Sequence, residues 1–140
     1  MIRALRPQIN KGNIAIHLNN ERLLIQLASG YLFGSGEDQV QSDGMAVLKR
    51  VGEILKDYPG YQVAVAGHTD NHPIRGALKN KFPTNQELSE ARAANAATAL
   101  EEGGLSGATT VGFAETKPVA SNNTEAGRAK NRRVEIRVTK

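Results

Sequence analysis

Asp70 closes an alternating apolar run, in Gly67-His68-Thr69-Asp70, and Arg92 sits inside an alanine-rich run that opens at Asn85-Gln86-Glu87-Leu88-Ser89-Glu90. A carboxylate pairs with an ammonium, and a guanidinium holds a carboxylate through two parallel N–H donors, so together they suit one zwitterionic ligand. A strand end followed by an irregular loop is where α/β folds collect ligands, which places Asp70 for binding. The same residue type also closes Asx turns, and that simpler reading stays open. Arg92 falls about two turns, roughly 10 Å, into a helix that begins near Asn85, on the face that carries Leu88. Read alone, an arginine among alanines is more often a solvated helix residue.

His68, Asp70 and His72 form a rival set, because alternate residues of an extended segment face one side and could ligate a metal. Pro73 holds His72 extended, and Glu87 is the nearest general base that a metal-dependent hydrolase would need. Ser35, in Gly34-Ser35-Gly36, lacks the surroundings of a nucleophile elbow. Gly103-Gly104-Leu105-Ser106-Gly107 lacks the Lys and Ser/Thr of a phosphate loop. No carboxylate pair stands in distinguishable environments.

The elements that must position these groups follow from the period of the apolar residues. Ile14, Ile16 and Leu18 alternate, as do Leu23, Ile25 and Leu27, and Asn19-Asn20-Glu21 between them predicts an antiparallel hairpin. Gly30 to Gly36 reads as a glycine-rich loop around Phe33. Ser42-Asp43 offers a cap to a helix carrying Met45, Leu48, Val51 and Leu55, and Pro59-Gly60 stops it. Tyr61 to Ala66 alternates again, with Val63 and Val65 on one face and Ala64 and Ala66 on the other, as in a strand covered closely by helices. Asn85 to Gly103 is the longest expected helix, Thr109 to Ala114 a strand, Thr124 the cap of a short helix through Lys130, and Val134, Ile136 and Val138 the last strand. The order β-β-α-β-α-β-α-β implies some parallel pairing and an α/β sandwich, a mixed β-sheet with helices packed on one face.

The 140 residues suit one domain, residues 1–140, burying about 68% of its unfolded surface. Apolar content of 39% and charged content of 23% fit a globular core, and no run approaches the roughly 18 apolar residues of a membrane span. Cysteine is absent, which excludes disulfides, thiolate catalysis and cysteine zinc sites. The net charge of +4 favours an anionic partner. The basic residues are scattered in sequence, however, and three Phe and three Tyr give little stacking surface, so nucleic acid is set aside. Met1 to Pro7 lacks the apolar core of a signal peptide, so a targeting segment is expected upstream of Met1, with Met1 to Gly12 as a tether remnant.

With Thr124-Glu125-Ala126-Gly127-Arg128 and Asn131-Arg132-Arg133-Val134-Glu135 downstream, the two opening motifs resemble those of the OmpA-like domain that closes many envelope proteins, the MotB family included. The resemblance covers nearly the whole chain. It implies non-enzymatic, non-covalent binding of peptidoglycan through the diaminopimelate of the stem peptide, with no cofactor and no metal. It further implies a periplasmic or cell-envelope anchor for a flagellar stator, a secretion system or an outer-membrane protein. Membrane attachment would come only through a segment absent from this chain, and a homodimer is compatible with the family. Carried onto this sequence, the ammonium falls to Asp70 and a ligand carboxylate to Arg92, with Thr69 and Asn85 completing the pocket by hydrogen bonds. Arg132 is preferred over Arg133 as a flanking residue, since successive strand residues face opposite sides. Phe33 either plugs the core or walls the pocket. The stretch Asn71-His72-Pro73-Ile74, continuing to Pro83, is longer than the short form of the motif and resembles the MotB branch.

Overall fold

The computed structural model describes residues 14–19, 22–33, 38–72 and 81–139. The first two alternating runs form β1 (Ile14–Asn19) and β2 (Arg22–Ala28), antiparallel with Ile16 opposite Ile25 and Asn19 opposite Arg22. Their connection, Asn20 and Glu21, lies outside the described residues, as do Met1 to Gly12, Gly34 to Gly36 and the Pro73 to Asn80 stretch. The expected glycine-rich loop begins instead as a single helical turn, α1 (Ser29–Leu32), and Phe33 then bridges to Val40. That turn also changes the next helix. α2 (Ser42–Leu55) is entered through Gln41 rather than capped by Ser42 or Asp43, and the Gln41 side chain donates to Tyr31 O at 2.8 Å. α2 ends at Leu55, ahead of the Pro59-Gly60 stop.

β3 (Gln62–His68) leads to α3 (Asn85–Glu102), then β4 (Thr109–Gly112), α4 (Glu125–Asn131) and β5 (Arg133–Thr139). The sheet order is β1-β2-β5-β3-β4, with β3 and β4 parallel and the other neighbours antiparallel. This is the mixed sheet with helices that the sequence predicts, with α1 added. β5, last in sequence, is central, so it binds the early hairpin to the later parallel pair.

One face of the sheet carries Ile25, Leu27, Val63, Val65, Val134 and Ile136, which pack on Leu48 and Val51 of α2 and Ala93, Ala96 and Leu100 of α3. Small residues bring these layers close. A Cβ on Gly67 would lie 2.1 Å from Ser89 O, and one on Gly52 would lie 2.2 Å from Leu100 O. The opposite face presents Arg133, Glu135 and Arg137, beside Ala66 and Ala64 in the β3–β5 register. Ala64 and Ala66 therefore line the face away from α2 and α3, and the close helix cover expected for β3 is on its Val63 and Val65 side only. Among the described residues no helix is long and apolar enough to cross a membrane.

The α2–α3 contact gives a test in which two effects oppose. Alanine in place of Gly52 would gain up to about 1 kcal/mol of helix propensity, but the clash with the Leu100 carbonyl should cost about 1–3 kcal/mol of overpacking. We expect Gly52→Ala to lower the urea midpoint without changing the slope. A raised midpoint would contradict the observed closeness of the two helices.

Candidate functional site

Asp70 lies two residues beyond the end of β3 and is 7% exposed. Its Oδ1 accepts the His72 N–H at 2.9 Å, the Asx turn that its residue type allows. Its Oδ2 accepts Arg132 Nη1 at 2.6 Å, a charge-assisted bond made by the residue that ends α4. The carboxylate therefore has both a local and a long-range role. The Arg132 guanidinium also donates to Glu125 Oε1 at 2.6 Å, so one cation bridges an inner and an outer acid. Burial works against the Arg132 charge, but Glu125 and Asp70 outweigh it and hold its pKa above the usual value.

The segment before and after Asp70 is tied to its neighbours. Thr69 N–H donates to Ala114 O at 2.9 Å, and the Thr69 hydroxyl donates to Asp70 O at 2.8 Å. Ala114 adopts φ 52, a left-handed conformation that costs a non-glycine residue about 1–2 kcal/mol. Its N–H donates to Ser89 Oγ at 3.1 Å, so both of its backbone groups are used to seat Thr69 against α3. Asn85, the first residue of α3, donates through Nδ2 to His72 O at 2.9 Å and to Glu115 Oε2 at 3.2 Å. It thus fixes the turn after Asp70. Thr84 and Glu87 form a capping box at the start of α3, with Thr84 N–H donating to Glu87 Oε2 at 3.0 Å. The Thr84 hydroxyl bond comes first among the causes that hold the exposed Glu87 carboxyl below its usual range.

Arg92 is 8% exposed, which excludes the solvated-residue reading. Its guanidinium lies over the Phe33 ring, 5.0 Å from the centroid, and Phe33 is fully buried. Phe33 therefore belongs to the core and also floors the arginine. Burial pushes the Arg92 pKa down, Asp38 opposes this, and the Arg132 cation adds to it, which puts Arg92 and Arg132 in one electrostatic neighbourhood. Asp38, buried on the same side, accepts Lys81 Nζ at 3.2 Å, and its carbonyl accepts Asn95 Nδ2 at 2.6 Å.

Of the residues singled out from sequence, Asp70, Thr69, Asn85 and Arg132 are joined by direct contacts, and Arg92 with Phe33 lies beside them. Arg133 turns to the other face of the sheet. His68 does the same, stacking on Phe113 with ring centroids 5.3 Å apart, while Glu87 is engaged in the helix cap. The His68, Asp70 and His72 set does not assemble, and no group of potential ligands able to hold a metal occurs among the described residues. Sequence reasoning missed Asp38, Glu115 and Glu125 as neighbours of the site. Glu125 had a usable signal, since it lies one side-chain reach across α4 from Arg132. Asp38 had none, because it comes from an aperiodic loop.

The sequence pattern of the OmpA family matches residues 32–132, which span β2's successor turn through Arg132. The chain belongs to the OmpA family. This OmpA-family domain is 36% identical over 122 residues to motility protein B of Bacillus subtilis, covering 85% of this chain and 46% of that protein. It is 36% identical over 121 residues to the outer-membrane lipoprotein YfiB of Pseudomonas aeruginosa, covering 85% of this chain and 68% of that protein. The domain thus spans about half the length of the first relative and two thirds of the second. Among solved structures, the cell wall anchor of the T6SS from Pseudomonas aeruginosa superposes with a TM-score of 0.85 at 34% identity, covering 99% of this chain and 95% of that one.

The bridging role of Arg132 is open to direct measurement. The Arg132 hydrogen bond is the largest cause holding the Glu125 carboxyl below its usual range, followed by the Arg132 charge and by Arg128. A carboxyl held low in the folded chain stabilises the fold above its unfolded pKa, and that contribution fades as pH falls through the folded value. We expect Arg132→Gln to move the Glu125 midpoint, followed by carboxyl-carbon NMR, up toward the ordinary value of about 4.3. An unchanged midpoint would mean that Arg132 does not hold Glu125 in solution.

Proposed function

We propose that this domain is a non-catalytic module that binds peptidoglycan through the diaminopimelate of the stem peptide and so anchors an envelope protein to the cell wall. One observation carries the reading: Asp70 and Arg92 are of opposite charge and both nearly inaccessible to water, and Arg132, which pairs with Asp70, also acts electrostatically on Arg92. Charge-assisted contacts are little screened where water is excluded, so a rim holding an acid and a base largely out of water suits a ligand carrying both signs. Diaminopimelate presents an ammonium and carboxylates on one side chain. Asp70 would take the ammonium beside Arg132, and Arg92 a carboxylate, with Asn85 and Thr69 holding the frame. The structural likeness to a cell wall anchor and the likeness to an outer-membrane lipoprotein support wall binding in the periplasm or envelope.

Replacing Asp70 by Asn keeps the shape and removes the charge. Loss of one member of a desolvated pair costs about 2–5 kcal/mol, at least tens-fold in affinity. We expect Asp70→Asn to lose co-sedimentation with purified sacculi while its thermal melt stays cooperative, and EDTA to leave wild-type binding unchanged. Wild-type co-sedimentation by a well-folded Asp70→Asn protein would overturn the reading.

A further inference from the structure

On the face of the sheet turned away from α2 and α3, Glu135 is 1% exposed and carries more partners than a buried carboxylate needs for solvation alone. Arg133 Nε donates to its Oε2 at 2.7 Å, Gln26 Nε2 to the same oxygen at 3.0 Å, and Arg137 Nη2 to Oε1 at 2.9 Å. His68 Nε2 faces Oε1 at 3.4 Å. Burial alone would raise the Glu135 pKa, but these donors reverse the effect and hold it far below the usual carboxylate range. The charge is therefore permanent, and it ties together three strands: β2 through Gln26, β3 through His68 and β5 through its own residues.

Two of these partners adjoin the candidate site in sequence. His68 and Arg133 are opposite one another at the end of the β3–β5 ladder. The residues just beyond that rung are Thr69-Asp70 on one strand and Arg132 on the other. Arg133 also donates to Asn131 O at 3.1 Å and to Lys117 O at 2.9 Å, so its fork pins the end of α4 and the loop before it. Arg132, the extended residue that caps α4, directly precedes Arg133, so anchoring Arg133 on one face constrains the backbone from which Arg132 reaches Asp70 on the other.

We propose that Glu135 is a positioning residue for the ligand site, acting through Arg133 and His68 from the far face of the sheet to hold Arg132 on Asp70. The inference rests on the proposed peptidoglycan reading only for its binding consequence, since the Arg132–Asp70 pair exists without ligand. Glutamine at Glu135 keeps the shape but turns an amide toward one guanidinium, leaving Arg133 short of an acceptor and free to shift the α4–β5 junction.

The test uses Glu135→Gln, alone and with Arg132→Gln, in two measurements. The first is the Arg132 Nη1–H NMR signal of the ligand-free protein, which should lose its hydrogen-bonded position on Asp70 in Glu135→Gln while the chain remains folded. The second is affinity for a soluble diaminopimelate stem peptide. The single change should weaken it about tenfold, and the same change in the Arg132→Gln background should alter it less than twofold, because coupled residues are not additive. An equal loss in both backgrounds, or an unmoved Arg132 signal, would show Glu135 to be structural only and overturn the proposal. If wild type does not bind the peptide, the functional reading fails while the ligand-free signal still decides this one. Where Glu135→Gln does not fold, Arg133→Lys replaces it, since lysine keeps the charge but cannot span Glu135, Asn131 O and Lys117 O together. The same loss of signal is expected.

Discussion

A carboxylate withdrawn from water at the end of a strand must be satisfied by the protein, and the Asp70–Arg132 pair is how this domain does it. The pair joins the end of β3 to the start of β5, and Glu125 takes the other arm of the same guanidinium. A carboxylate offers about four lone-pair positions. Arg132 and the His72 N–H take two of them, so an ammonium can join Asp70 without displacing either. Arg92, desolvated over Phe33, carries the complementary sign.

Most of the fold can be understood as what brings those groups to one rim. The capping box at Thr84 and Glu87 sets where α3 begins, and that start fixes the phase that turns Arg92 inward with Leu88 and Ala96. Gly67 and Ser89 allow α3 to lie almost on the backbone of β3, which places Arg92 near the strand end rather than above the sheet. Ala114 accepts a strained backbone because both of its polar groups are needed, one by Thr69 and one by Ser89. The interior thus trades ideal local geometry for a close seat under Asp70, a pattern common where a site is preorganised.

β1, β2, β3, β5 and α2 were legible because their apolar residues keep a strict period against one core, and α3 because it is rich in strong helix formers; which strands pair in parallel was not. The proposed site residues were singled out as motif members rather than as a geometry. What the sequence could not display is long-range pairing. Arg132 and Arg133 are adjacent and chemically alike, yet one meets Asp70 and the other Glu135, and only the pleat of a formed strand separates them. α1 was hidden because its turn, with Gly30 at its centre, carries no helical pattern. The His68 and His72 spacing suggested a metal because alternation was assumed to continue past the strand, whereas the chain turns at Asp70.

The proposed bridging of Asp70 and Arg92 by one ligand side chain can be measured by calorimetric titration with two soluble stem peptides. They would differ only in carrying diaminopimelate or lysine. Lysine retains the ammonium but lacks the distal carboxylate, so Arg92 would lose a charge-assisted partner worth about 1.5–3 kcal/mol. Affinity is expected to be about ten- to a hundredfold higher for the diaminopimelate peptide. Equal affinities would contradict it, and would place recognition away from Arg92.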